Sequence, residues 1–116
     1  MTKSEIANAF SNGNFEICFD YLTENTTWNT PGEQFLNNKI EIEDFCRKIK
    51  SYFDSITTDF QQFNLIENEN CIAINGIAEF LRDGKRINLV SSCDVYEFNA
   101  DNKIISITSY CIPETK

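Results

Sequence analysis

The leading candidate for chemistry in this chain is Asp94, because of the residues around it. It stands in Ser91–Phe98, "SSCDVYEF", where Cys93, Val95 and Phe98 mark a strand with something to bury. Burying a carboxylate is costly unless hydrogen bonds or protonation relieve it. Two readings follow. Asp94 is either a solvated or interface-rim charge, or an acid–base group on the wall of a partly polar cavity. The 116 residues include no His, so the usual general base at neutral pH and the commonest metal ligand are missing. Catalysis would then run on carboxylates, Tyr, Cys, Lys or bound water, and neither a metal nor a cofactor is expected.

The cysteines suggest no alternative chemistry. Cys18, Cys46, Cys71, Cys93 and Cys111 are odd in number, scattered and without a CxxC pair, which argues against a disulfide framework and a zinc site. Most sit in apolar patterns, where Cys behaves as a small hydrophobe. A reducing compartment suits them, and the opening "MTKSEIANAF" lacks the apolar core of a secretory leader. A cytoplasmic protein is therefore expected, and the sequon Asn25-Thr26-Thr27 is a chance match in an Asn-rich chain. The formal net charge of −8 repels phosphate backbones and anionic lipid, so neither nucleic acid nor a membrane surface is an expected partner.

The length is that of one domain, residues 1–116. Ile6 and Phe10 are one turn apart, the break "SNGN" follows, and Phe15, Cys18, Phe19 and Leu22 continue at helical spacing. Ser4 is the expected cap of the first helix. "TTWNTPG" reads as a short strand ended by a turn. A longer helix is predicted over roughly 39–53, with Ile42, Phe45, Cys46, Ile49 and Phe53 on one face. From Ser55 the period becomes two. Strands are predicted over 56–66, 71–82, 86–98 and 103–112, joined by "ENEN", "RDGK" and "NADNK". The result is an α+β fold, with three N-terminal helices laid on a strongly curved antiparallel sheet.

Alternation divides the strand carrying Asp94 into Ile87, Leu89, Ser91, Cys93, Val95 and Glu97 on one face, and Asn88, Val90, Ser92, Asp94, Tyr96 and Phe98 on the other. Each face holds several apolar side chains, whereas a sheet covered on one side should alternate cleanly. Something else must cover the second face, and a second copy of the chain, forming a two-fold dimer, is the simplest candidate.

The helix–"SNGNFE"–helix opening, "ENTTWNTPG", the long helix and the ending "SCDVYEFNADNKIISITSY" together resemble the SnoaL-like proteins of the nuclear transport factor 2-like superfamily, over roughly residues 3–112. The resemblance implies a cone: a curved sheet around a cavity plugged by helices, usually dimeric through the outer sheet face. Within that superfamily, Asp94 matches the protonated Asp of ketosteroid isomerase. Its general-base position falls on Thr30 and its oxyanion Tyr on Ile6, so two of the three chemical positions are lost. Scytalone dehydratase chemistry needs a His, and the arginines Arg47, Arg82 and Arg86 do not give the Asp–Arg–Asp arrangement of limonene epoxide hydrolase. SnoaL cyclases use an acidic cavity residue, a role open to Asp94.

On the cone reading, Trp28 and Thr30 point inward from the first strand. Gly76, Ala78 and Phe80 line the second long strand, Val90, Ser92, Tyr96 and Phe98 join Asp94, and Ile107, Ser109 and Cys111 line the last. Tyr52 and Phe53 close the pocket from the long helix. For Trp28, Phe53 and Phe80 plain core packing is the favoured alternative, Tyr96 suits core or cavity, and Cys111 suits filler, with no His or Lys placed to activate it. Glu79 and Glu97 point outward. Ser92 is placed to hydrogen-bond a ligand or Asp94. The functions open are an acid–base isomerase, lyase, cyclase or hydrolase acting on a small, mostly apolar molecule, a binding or carrier shell without turnover, and a dimeric protein–protein adaptor.

Overall fold

The computed structural model describes residues 1–114. In chain order it contains α1 (Lys3–Ser11), a 3₁₀ helix (Glu16–Tyr21), β1 (Thr27–Thr30), β2 (Gln34–Asn37), α2 (Lys39–Asp54), β3 (Thr57–Glu67), β4 (Cys71–Arg82), β5 (Lys85–Phe98) and β6 (Ile104–Pro113). The α+β class and the helix-packed curved sheet are as expected. Strand boundaries for the long meander agree with the period-two reading to within a residue or so, because the alternation stops at the turns between strands.

Three details go beyond the sequence reading. The cap of α1 is Thr2, not Ser4: its hydroxyl accepts from Glu5 N at 3.1 Å and the Glu5 carboxylate accepts from Thr2 N at 2.7 Å, a reciprocal capping box. The second helix is 3₁₀, short enough for i to i+3 bonds such as Cys18 N to Phe15 O at 2.9 Å. The third detail is β2, formed where the chain turns back after Pro31-Gly32 and pairs antiparallel with β1.

The six strands run in the order β2-β1-β6-β5-β4-β3. All neighbours are antiparallel except β1 and β6, which pair parallel with Trp28 opposite Ile107, so the sheet is mixed. Register shifts at Gln62/Asn64, Phe80/Leu81 and Glu97/Phe98 mark β-bulges. Each adds a residue to one strand and bends it, and the three bend the sheet around the helices. The inserted residues Phe63, Ile87 and Ile105 are among the exposed large hydrophobic side chains. At "RDGK", Asp83 and Gly84 take positive φ values of 53° and 76°, and Arg82 pairs with Lys85, a two-residue hairpin of the type Asp-Gly favours.

The core lies between the concave sheet face and the helices. Ile6, Ala7 and Phe10 of α1, Cys18, and Ile42 and Cys46 of α2 pack on Ile72, Ile74, Tyr96, Phe98, Ile104 and Ile107. Phe10 meets Phe15, Trp28 and Tyr96 edge-on at centroid distances of 4.9, 5.0 and 6.0 Å, the geometry aromatic quadrupoles prefer. Among the described residues no helix is long and apolar enough to cross a membrane.

Candidate active site

The core does not fill the cone. Toward its open end, a cavity of about 750 Å³ lies between the sheet, the last turn of α1 and the second half of α2, within the size range of small-molecule sites. β5 supplies its floor. The parity that sends Tyr96 and Phe98 into the core sends Asn88, Val90, Ser92 and Asp94 into the cavity wall. Asp94 sits at mid-strand, with Ile74 of β4 and Ser109 of β6 as its cross-strand neighbours.

Two hydroxyls tend the carboxylate. Ser11, the last residue of α1, donates its Oγ–H to Asp94 Oδ2 at 2.8 Å and lies 2.6 Å from the Tyr96 hydroxyl. Ser109 Oγ accepts from Trp28 Nε1 at 2.9 Å; an indole N–H only donates, so the Ser109 proton is free to turn toward Asp94. Burial pushes the Asp94 carboxyl above its ordinary value, and Ser109 and Ser11 pull it partly back. Among the described residues no Lys or Arg neutralises it, so loss of solvent dominates. Burial also raises the Tyr96 phenol far above its ordinary value, reinforced by the charge of Asp94.

Of the residues predicted to form a pocket, Trp28, Thr30, Tyr52, Phe53, Ala78 and Phe80 stand in this wall, as do Val90, Ser92, Asp94, Ser109 and Cys111. Gly76, Tyr96, Phe98 and Ile107 do not. Tyr96, Phe98 and Ile107 lie in the core, 0–2% exposed, because there the same strand face passes from the cavity into the cluster formed with Ile6, Phe10 and Cys18. Gly76 is covered by the Phe60 ring, which a Cβ there would approach to 2.9 Å. The partner of Asp94 is Ser11, not Ser92. The sequence reading missed Ser11 because it was assigned to the break after α1. A signal existed: Ala7 is fully buried, and Ser11 lies one helical turn beyond it on the same stripe.

The rest of the wall is aromatic, with Phe10, Phe15, Phe45 and Phe60. Trp28 stands edge-on to Phe45 at 5.5 Å, and Phe53 stacks on Phe80 at 5.8 Å. Charge gathers at the rim, where exposed Glu33, Lys50 and Asp54 contribute and Lys50 Nζ approaches Asp54 at 3.7 Å. The Cys111 thiol is pushed up to about 11, by loss of solvent first and then by Asp94 and Glu33, so it is no thiolate nucleophile at neutral pH. Among the described residues no cluster of three or more His, Cys, Asp or Glu is arranged to hold a metal ion. The arrangement presents one desolvated carboxyl, held by hydroxyls, facing an apolar chamber.

No family model and no curated protein matches the sequence. Solved structures do. An NTF2-like protein of unknown function from Cytophaga hutchinsonii is 35% identical, with a TM-score of 0.83 over 93% of this chain and 94% of that one. A protein from Shewanella denitrificans, provisionally assigned as a SnoaL-like polyketide cyclase, superposes with a TM-score of 0.74 at 10% identity, covering 95% of this chain and 90% of that one. An epoxide hydrolase/cyclase-like enzyme of pyran ring formation in the polyether salinomycin gives 0.70 at 16% identity, with 95% and 90% covered. The last two share the fold alone. By its identity to the Cytophaga protein over nearly the whole of both chains, this chain belongs to the NTF2-like superfamily.

Proposed function

We propose that the cavity takes up a small, mostly apolar molecule and that Asp94 exchanges a proton with it. The observation supporting this is a desolvated carboxyl, without a cationic partner among the described residues, on the wall of an open aromatic chamber. A carboxyl whose proton affinity is raised toward working pH is suited to general acid–base catalysis. Isomerisation, elimination, ring closure and hydrolysis each need such a transfer. Rearrangement or ring closure within one molecule fits best, since Glu33 and Asp54 are out at the rim and one group must both give and regain the proton. The relatives assigned as cyclases support the reading as neighbours in fold.

A carrier without turnover is the second reading, favoured by one observation. Thr30, whose hydroxyl is no base at neutral pH, lines the cavity where the resemblance puts a second acid–base group, and Ile6 is fully buried in the core. Both readings require binding, and Trp28 reports it. It is the only Trp of the chain and stands in the cavity wall. Titration with a neutral apolar dye should quench Trp28 emission saturably and raise the melting temperature by mass action. Ala78→Phe, which fills the chamber from the sheet side, should abolish the quenching. Quenching that survives Ala78→Phe would place the dye elsewhere and remove the cavity from the account.

We further infer a homodimer through the outer sheet face, where Tyr110 and Ile112 of β6 are 50% and 70% exposed and Ile87 of β5 is 44% exposed. Sedimentation equilibrium at micromolar concentration is expected to give twice the chain mass of 13.4 kDa, and Ile112→Asp the monomer mass. A wild-type monomer would exclude the dimer. The five free cysteines suit the reducing cytoplasm.

A further inference from the structure

We propose that Ser11 and Tyr96 are positioning residues for Asp94, forming a one-way hydrogen-bond chain, Tyr96 O–H to Ser11 Oγ and Ser11 O–H to Asp94 Oδ2, that leaves Oδ1 as the oxygen on which Asp94 carries its exchangeable proton. The inference rests on reading Asp94 as the reacting group, and its direction follows from counting protons.

Tyr96 is fully buried, and among the described residues its hydroxyl meets one hydrogen-bonding group, Ser11 Oγ at 2.6 Å. A buried O–H left without an acceptor is costly, so Tyr96 donates and Ser11 accepts. The Ser11 proton then has one place to go, Asp94 Oδ2 at 2.8 Å. The reverse direction would need Asp94 to donate from Oδ2 to Ser11 and Ser11 to donate to Tyr96, stranding the phenolic proton in the core. Burial keeps that phenol protonated across the working range. Oδ2 is therefore an acceptor whether Asp94 is ionised or neutral, and protonation falls on Oδ1.

The chain also ties the end of α1 to the sheet across 83 residues of sequence, so the cavity wall and the helix that plugs the cone share one polar contact. The other titratable groups near Asp94 are Cys93 on its own strand, Cys111 on β6 and Glu33 at the rim; none changes in the variants below.

The test is the carboxyl ¹³C titration of Asp94 by NMR. Ser11→Ala removes a donor that favours the carboxylate, so the midpoint should rise, by about one pH unit for a lost charge-assisted hydrogen bond. Ser11→Thr, which keeps the hydroxyl, should return it toward wild type. In the reversed chain Ser11 is the acceptor of the acid's proton, and Ser11→Ala would lower the midpoint. A fall, or no movement, overturns the proposal. Tyr96→Phe gives a second reading should Ser11→Ala not fold. It should lower the melting temperature by several degrees, whereas a stranded phenolic proton predicts a rise, which also overturns the chain. A wild-type midpoint at the ordinary Asp value would sink the functional reading of Asp94, while the sign of the Ser11→Ala movement would still decide the chain.

Discussion

Gly76→Val is expected to destabilise the protein by about 3 kcal/mol or more, a large part of the 5–15 kcal/mol that holds a typical domain folded. Gly76 lies mid-strand in β4, opposite Gln62 of β3 and Ser92 of β5. A single Cβ there would meet the Phe60 ring at 2.9 Å and would come still closer to the Gln61 carbonyl oxygen. The ring can swing; the carbonyl belongs to a strand held by its ladder and cannot move alone. Beside this pair the β3 register shifts between Gln62 and Asn64, so a Cβ would push on the bulge that bends the sheet over the cavity. Gly76→Ala should cost less than Gly76→Val but retain the same sign. Chemical denaturation of the two variants tests the claim, and a valine variant with wild-type stability would show that β3 accommodates the side chain freely.

The second large effect is on pH dependence. Asp94 holds its proton more tightly in the folded chain than in the unfolded one, because burial disfavours the charge. Between the unfolded value, about 3.9, and the raised folded value, the native state thus binds more protons than the unfolded state. The stability contributed is fully present below the unfolded value and is lost as pH rises through the folded one, with a slope of at most about 1.4 kcal/mol per pH unit. Asp94→Asn removes the titration and keeps an acceptor for Ser11. Its melting temperature should match wild type at about pH 4 and exceed it at about pH 8, by roughly 4–8 °C for each kcal/mol recovered. Every other carboxylate is common to both proteins and cancels in the difference. Melting curves that stay parallel from acid to mildly alkaline pH would mean that Asp94 titrates as a solvated side chain. The same substitution leaves ligand uptake possible but removes proton transfer, so any turnover should disappear with it.

The opposed effects of these two substitutions show how the sheet is built. Gly76 and Asp94 share the concave face of neighbouring strands, with Ile74 opposite Asp94 and Ser92 opposite Gly76. One position is glycine because an aromatic ring lies on it; the other is a carboxylate because the cavity lies over it. Both look alike in an alternating pattern, which records only the face on which a side chain lies.

The elements were legible from the sequence because their signals are local. Period-two alternation from Ser55, the apolar stripe of α2 and the Asp83-Gly84 turn each arise within a few residues, and local backbone preference and one-sided burial are enough to set them. Parity alone left the side of Asp94 open, because both faces of β5 carry apolar residues; the family resemblance favoured the inward face, where the cavity lies. What tertiary structure alone decided was how far down the cone each inward residue falls, which separated Asp94 and Ser92 in the wall from Tyr96 and Phe98 in the core. It also decided the parallel pairing of β1 with β6 and the approach of Ser11 to Asp94 and Tyr96. Those contacts join segments some eighty residues apart, and no periodicity within one segment carries the curvature that brings two such segments together.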